Sequence, residues 1–266
     1  MRISCDLDGV VADMDSALAK LAEEEFGVSA KAARSQGSDA ARQADDRINK
    51  ADAGADQPPA AAGSDAATAA VPPADELPTA AVLERLTARQ QTRLWQRVQA
   101  TRNFWETIDE CEPGAVRRFQ QAAHQREWDV IFLTQRPRTA GRTVQLQSQR
   151  WLRRNGFELP SVYTSIGSRG LIAAGLTIDA HIDDRIEHCV NVASESKARA
   201  ILVWRDQESF ARISAGGRRM NIEVVSTFGA ALDLLEEDEQ RRHDSAAARG
   251  GASVLSRLKK TLTGGV

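Results

Sequence analysis

Six short apolar runs, set apart by stretches with helical spacing, constrain this chain more than any other feature. Residues 3–8 read as a buried strand, and 129–134, 161–164, 180–183, 200–204 and 222–225 as further strands. Between them, residues 15–26 carry Leu18, Leu21, Ala22 and Phe26 at helical spacing and stop at Gly27. Further helices are expected over 113–127, with Pro113 in the first turn, and over 139–155, with Thr139 as N-cap and Gly156 as the stop. Two more are expected near 185–193 and 229–236. The alternation implies an α/β fold with a Rossmann-like parallel sheet covered on both faces. In such sheets ligands bind outside the carboxyl ends of the strands.

Residues 29–80 break the pattern. Ala, Asp, Ser and Gln dominate them, and their only large aliphatic residues are Ile48, Val71 and Leu77. So little apolar surface does not offset the entropy of ordering the segment, and disorder is expected. The expected organisation is therefore a core of residues 1–27 and 112–236. A small helical cap, 28–111, is inserted after the first strand and contains the low-complexity segment 29–80. A disordered tail follows at 237–266, in which Val254, Leu255, Leu258 and Leu262 line one face of a short helix at most. Trp95, Phe104 and Trp105 lie in the cap, where they either form its own core or stack on a nucleobase.

Asp6 and Asp8 close the first strand at an i, i+2 spacing, which points both side chains the same way, and Gly9 follows at once. Like charges so close call for a raised pKa or a cation. A second pair, Asp183 and Asp184, ends another apolar run. Four carboxylates at the ends of two buried strands suggest a site for a hard cation. Asp183 and Asp184 have a plainer role open to them as caps of the next helix. Thr134 either binds a ligand at its strand end or caps a turn. Asp13 and Asp15 receive no catalytic role.

Three segments together resemble the haloacid dehalogenase superfamily of phosphohydrolases. They are Asp6-Leu7-Asp8-Gly9-Val10-Val11, Phe132-Leu133-Thr134-Gln135-Arg136-Pro137 and Ile182-Asp183-Asp184-Arg185. The Thr-x-Arg-Pro and Asp-Asp-Arg forms look most like the 5′(3′)-deoxyribonucleotidase-like branch. The resemblance implies a Mg²⁺-dependent phosphomonoesterase acting on a small phosphorylated metabolite, such as a nucleoside monophosphate. Asp6 would be the nucleophile that forms an aspartyl phosphate, and Asp8 the proton donor and acceptor. Asp6, Asp8 (through its main-chain carbonyl), Asp183 and Asp184 would supply the Mg²⁺ ligands. Thr134, Gln135 and Arg136 would contact substrate. The family's basic residue, usually lysine, would here be Arg169, in Gly167-Ser168-Arg169-Gly170. Arginine is bulkier and planar, so the exchange is not neutral. It leaves a second reading open, a weakly active or inactive member that binds phosphate compounds or a protein partner. A carbon–halogen hydrolase is disfavoured, because displacing halide needs neither a leaving-group acid nor Mg²⁺.

Composition excludes other classes. A net charge of −2 gives no basic excess for a nucleic-acid polymer. Cys5, Cys111 and Cys189 are odd in number and lack metal-ligand spacing, so reduced thiols in a cytoplasmic protein are expected. No apolar stretch approaches the roughly 18 residues of a membrane span, and with strand residues beginning at Arg2 no leader is expected.

Overall fold

The computed structural model describes residues 1–27, 82–164 and 167–241. The strands are β1 (Arg2–Asp6), β2 (Asp129–Thr134), β3 (Ser161–Thr164), β4 (Ala180–Asp183), β5 (Arg199–Val203) and β6 (Ile222–Val225). All pairings are parallel, in the order β3-β2-β1-β4-β5-β6. The fold is therefore α/β with one six-stranded parallel sheet, as the alternation of apolar runs predicts. The chain leaves β1 toward β2 on one side and returns from β3 to β4 on the other. The crevice between the carboxyl ends of β1 and β4 is thus the topological switch point.

The helices are α1 (Met14–Phe26), α2 (Ala88–Ala100), α3 (Ala115–Gln125), α4 (Val144–Arg154), α5 (Arg169–Gly175), α6 (Ile186–Glu195) and α7 (Phe210–Arg219), followed by α8 over 228–241. Leu83–Arg85 and Phe104–Glu106 form single 3₁₀ turns. One sheet face packs Ile3, Cys5, Phe132, Ile182 and Ile201 against Leu18, Phe119 and Phe228. Leu94, Trp95, Val98, Phe104, Trp105 and Ile108 belong to the same buried cluster. The opposite face buries Ala200 and Leu202 with Ile186, Cys189 and Ile213. On that face β1 and β4 carry polar residues: Ser4 lies opposite His181 in register, with 2.8 Å between Oγ and Nδ1. Two buried polar groups thereby satisfy one another.

Some boundaries differ from expectation, each for a local reason. α4 starts at Val144 under a Thr143 cap, not at Thr139, because Gly141 adopts φ +99° and Asn103 Oδ1 packs against it while accepting from Arg142 N. α3 starts at Ala115 after a left-handed Gly114, leaving Pro113 outside the helix. α7 is not signalled by its sequence, whose two glycines and scattered arginines blur the period; Gly217 lets it approach Ile222 and Val224 closely. α8 continues to residue 241, five residues into the expected tail. Asp238 bonds Arg199 there, and Glu239 accepts from Trp128 Nε1 at 3.0 Å. Expectations for 29–80 and for 242–266 fall outside the described residues.

Candidate active site

β1 delivers Asp6 to the crevice on the Ser4 face, and β4 delivers Asp183 to the same face from the neighbouring strand. The chain then turns sharply. Gly9 N donates to Ala12 O at 2.9 Å, and Val11 N and Ala12 N both donate to Leu7 O. Arg205 fastens this loop from β5's side: its guanidinium donates to Gly9 O, to Val10 O at 2.9 Å and to Glu112 Oε1 at 3.0 Å. Asp13 caps α1 through Ser16 N at 3.0 Å.

Asp6, Asp8, Met14, Gln135, Arg169, Asp184, Arg185 and His188 line one small cleft of about 20 Å³, room for a single water-sized group. Arg169, on the first turn of α5, is 1% exposed. Its Nη2 donates to Asp6 Oδ1 at 3.2 Å, and its Nε lies 4.0 Å from Asp183 Oδ2. Among the described residues Nε and Nη1 have no hydrogen-bond partner. A buried guanidinium with unsatisfied donors is costly unless something else occupies them.

Burial, aided by the charges of Asp183 and Asp8, pushes the Asp6 carboxyl up to about 7, against the pull of Arg169 and His188. Burial, followed by the charges of Asp183, Asp6 and Asp15, raises Asp184 well above the carboxylate range. Asp183 is the exception. Burial alone would raise it, but the His188 charge and hydrogen bonds from both histidines hold it well below. The geometry explains why: Asp183 Oδ2 lies 3.0 Å from His181 Nε2 and 2.9 Å from His188 Nδ1, and Oδ1 accepts from Arg185 N at 2.9 Å. Burial keeps His181 below its ordinary range. Since Asp183 only accepts, the neutral ring donates through Nε2 and takes Ser4 Oγ–H at Nδ1.

Asp8 is engaged differently. Arg136 Nε lies 3.1 Å from Oδ1 and 2.8 Å from Oδ2, Arg136 Nη2 lies 2.7 Å from Oδ1, and Thr134 Oγ1 donates to Oδ2 at 3.3 Å. The guanidinium also donates to Ser148 Oγ at 2.9 Å and lies 4.9 Å from the Trp105 ring centroid. Trp105 is itself buried and anchored through Nε1 to Pro137 O.

The residues fit a hard cation. Asp6 and Asp184 both reach the cleft and offer oxygen donors, the kind a hard cation takes. Gly9 matters for this. Its φ is +75°, and a Cβ there would sit 1.8 Å from Asp184 Oδ2. Among the described residues no three His, Cys, Asp or Glu side chains converge on one ion position. The set the resemblance implies asks for the side chains of Asp6, Asp183 and Asp184 and a carbonyl; of these, Asp183 is engaged by His181, His188 and Arg185 N and does not line the cleft.

Of the residues picked from sequence, Asp6, Asp8, Gln135, Arg169 and Asp184 share the cleft. Thr134 and Arg136 turn to Asp8, and Asp183 sits behind the cleft with its histidines. Trp95, Phe104 and Trp105 are core residues and do not line it. Sequence reasoning missed Ser4, His181, His188, Ser148 and Arg205. His181 stands at i, i+2 from Asp183 on one strand, a spacing that places both on one face and offered a signal. Ser148 and Arg205 gave none.

No model of a known protein family matches the chain, and no curated protein matches it. Among solved structures, a hydrolase from Pseudomonas syringae is similar over 90% of this chain and 99% of its own, with 16% identity and a TM-score of 0.42.

Proposed function

We propose that this chain is a Mg²⁺-dependent phosphohydrolase of the haloacid dehalogenase type, acting on a small phosphorylated compound through Asp6. The observation that carries the reading is Arg169. It is buried, pairs with Asp6, and has two nitrogens, Nε and Nη1, without a hydrogen-bond partner among the described residues. A phosphoryl group's oxygens are the acceptors such a fork suits. Bound Mg²⁺, held by Asp6, Asp184 and the Asp8 carbonyl, would offset the charge of phosphate and nucleophile. Asp6 attacks phosphorus, Arg169 holds the equatorial oxygens, and Gly9 keeps the ligand loop close to Asp184. Arg205 and Asp183 hold the two strand ends that position these groups.

Nitrophenyl phosphate with Mg²⁺ tests the reading. Turnover that disappears in Asp6→Asn supports it, and no turnover with any phosphorylated compound sinks it. A second reading, binding without turnover, draws on the narrowness of the cleft. Tight phosphate binding with no hydrolysis would select it.

A further inference from the structure

We propose that Glu195 is a positioning residue: through Ser168 it fixes the first turn of α5, so that Arg169 meets both Asp6 and an incoming anion. The inference rests on the phosphohydrolase reading above and extends it to a residue that does not touch the cleft.

Arg169 opens a helix that is too short to hold its own start. α5 spans only Arg169–Gly175, and a helix of that length is marginal without tertiary contacts. Its N-cap is Ser168, whose Oγ accepts from Gly170 N at 3.1 Å and from Leu171 N at 3.3 Å. The same hydroxyl donates to Glu195 Oε2. A hydroxyl has one hydrogen and two lone pairs, so its capacity is fully used. The donated bond runs to a carboxylate, which makes it the strong member of the three.

Glu195 ends α6, and α6 begins immediately after Asp184 and Arg185. The first turn of α6 carries His188, which lines the cleft and lies 2.9 Å from Asp183 Oδ2. One helix thus follows directly on the acid pair at its start and grips the arginine's helix at its end. Gly170 makes the grip possible. A Cβ there would overlap Asn191 O and crowd Glu195 Oε2, so glycine alone lets α5 lie this close to α6. Local rules disfavour a carboxylate at a helix C-terminus, where the dipole is negative. Ser168 is the partner that accounts for Glu195 in that place.

Glu195 does not act on substrate directly. It is exposed, is absent from the cleft lining, and borders a separate hollow of about 700 Å³ with Ala173, Ala174 and Lys197. Its effect on anion binding therefore passes through Ser168 and Arg169. A guanidinium that is 1% exposed has no room to swing back into place when its helix start shifts.

The test compares Glu195→Ala, Glu195→Gln and Arg169→Met with wild type, all as the full chain with Mg²⁺. Nitrophenyl phosphate kinetics and titration calorimetry of inorganic phosphate are the readouts. Misplacing a group by about 1 Å costs on the order of 10²-fold in rate, so Glu195→Ala should lower kcat/KM by at least about 10-fold. Its phosphate affinity should fall toward that of Arg169→Met. Glu195→Gln keeps an acceptor oxygen at the same reach and should recover most of both losses. The Tm should stay near wild type, because the altered side chain is exposed and ill-matched to the helix dipole. Wild-type kinetics and affinity in Glu195→Ala would overturn the inference, as would losses that track a falling Tm or that Glu195→Gln fails to recover. If Arg169→Met binds phosphate as tightly as wild type, the phosphohydrolase reading loses its anion receptor. Hydrogen exchange of the Gly170 and Leu171 amides then decides on the grip by itself: faster exchange in Glu195→Ala upholds it, and unchanged exchange removes it.

Discussion

Arg169 Nη2 lies 3.2 Å from Asp6 Oδ1, and this pair joins the first turn of α5 to the end of β1 across the switch point. The contact uses one corner of the guanidinium, while Nε and Nη1 find no hydrogen-bond partner among the described residues. On the proposed function, an arginine so placed would neutralise Asp6 with one corner and offer the others to an anion.

That division predicts the behaviour of two variants. Each charge-assisted hydrogen bond is worth about 1.5–3 kcal/mol. Arg169→Met should therefore weaken inorganic phosphate binding in the presence of Mg²⁺ by at least about 10-fold. Arg169→Lys, with charge but no fork, should fall between the two. Titration calorimetry reads the order, and equal affinities would remove Arg169 from the anion site.

The raised Asp6 carboxyl predicts how the metal-free protein responds to pH. Its folded value of about 7 exceeds the ordinary aspartate value of 3.8, so the native state holds the extra proton between them. Its contribution is full below about pH 4 and is lost as pH rises through 7. Asp184, also raised, acts in the same direction. Asp183 is lowered, so its contribution is present above the unfolded value and fades only in more acidic solution. The metal-free Tm should therefore drop between pH 5 and 8. Asp6→Asn should flatten part of the drop, and Mg²⁺ at pH 8 should restore the Tm. Scanning calorimetry with and without chelator checks this, and a Tm indifferent to both would contradict it.

Gly9 is expected to tolerate no side chain. A Cβ meets Asp184 Oδ2 at 1.8 Å, and φ +75° disfavours L-residues. Gly9→Ala should cost about 1 kcal/mol or more of stability and weaken Mg²⁺ binding as much as Asp184→Asn does. Loss of stability with unchanged Mg²⁺ affinity would separate the glycine from the metal site.

The pair of histidines on Asp183 should matter for folding. His181→Phe removes one donor from a fully buried carboxylate and strands Ser4 Oγ. An unsatisfied buried group costs about 1–3 kcal/mol, more when charged. Urea midpoints should show the loss at neutral pH, and a midpoint equal to wild type would mean the cavity relaxes around the ring.

The strands at Asp129–Thr134, Ser161–Thr164, Ala180–Asp183 and Ile222–Val225 were legible to the residue; Ala180–Asp183 is buried throughout, whereas Ser161–Thr164 lies at the sheet edge with only Val162 buried, its β-branched and aromatic residues carrying the signal. Helix starts were less so. Thr139 and Thr143 are equally good caps in sequence, and only Gly141 against Asn103 decides between them. Residues 237–241 read as tail because their anchors, Arg199 and Trp128, lie far away in sequence.

What the sequence determined alone is the class of fold and the gathering of acids at strand ends, since a two-residue period and a helical period dictate both from nearest neighbours. What only the tertiary structure decided is which partner each acid finds: Arg169 for Asp6, Arg136 for Asp8, two histidines for Asp183, and Gly9 beneath Asp184. The Arg169–Asp6 pairing alone spans 163 positions of chain. These pairings are set by burial, which forces each charge to take whatever donor the packed elements bring within reach.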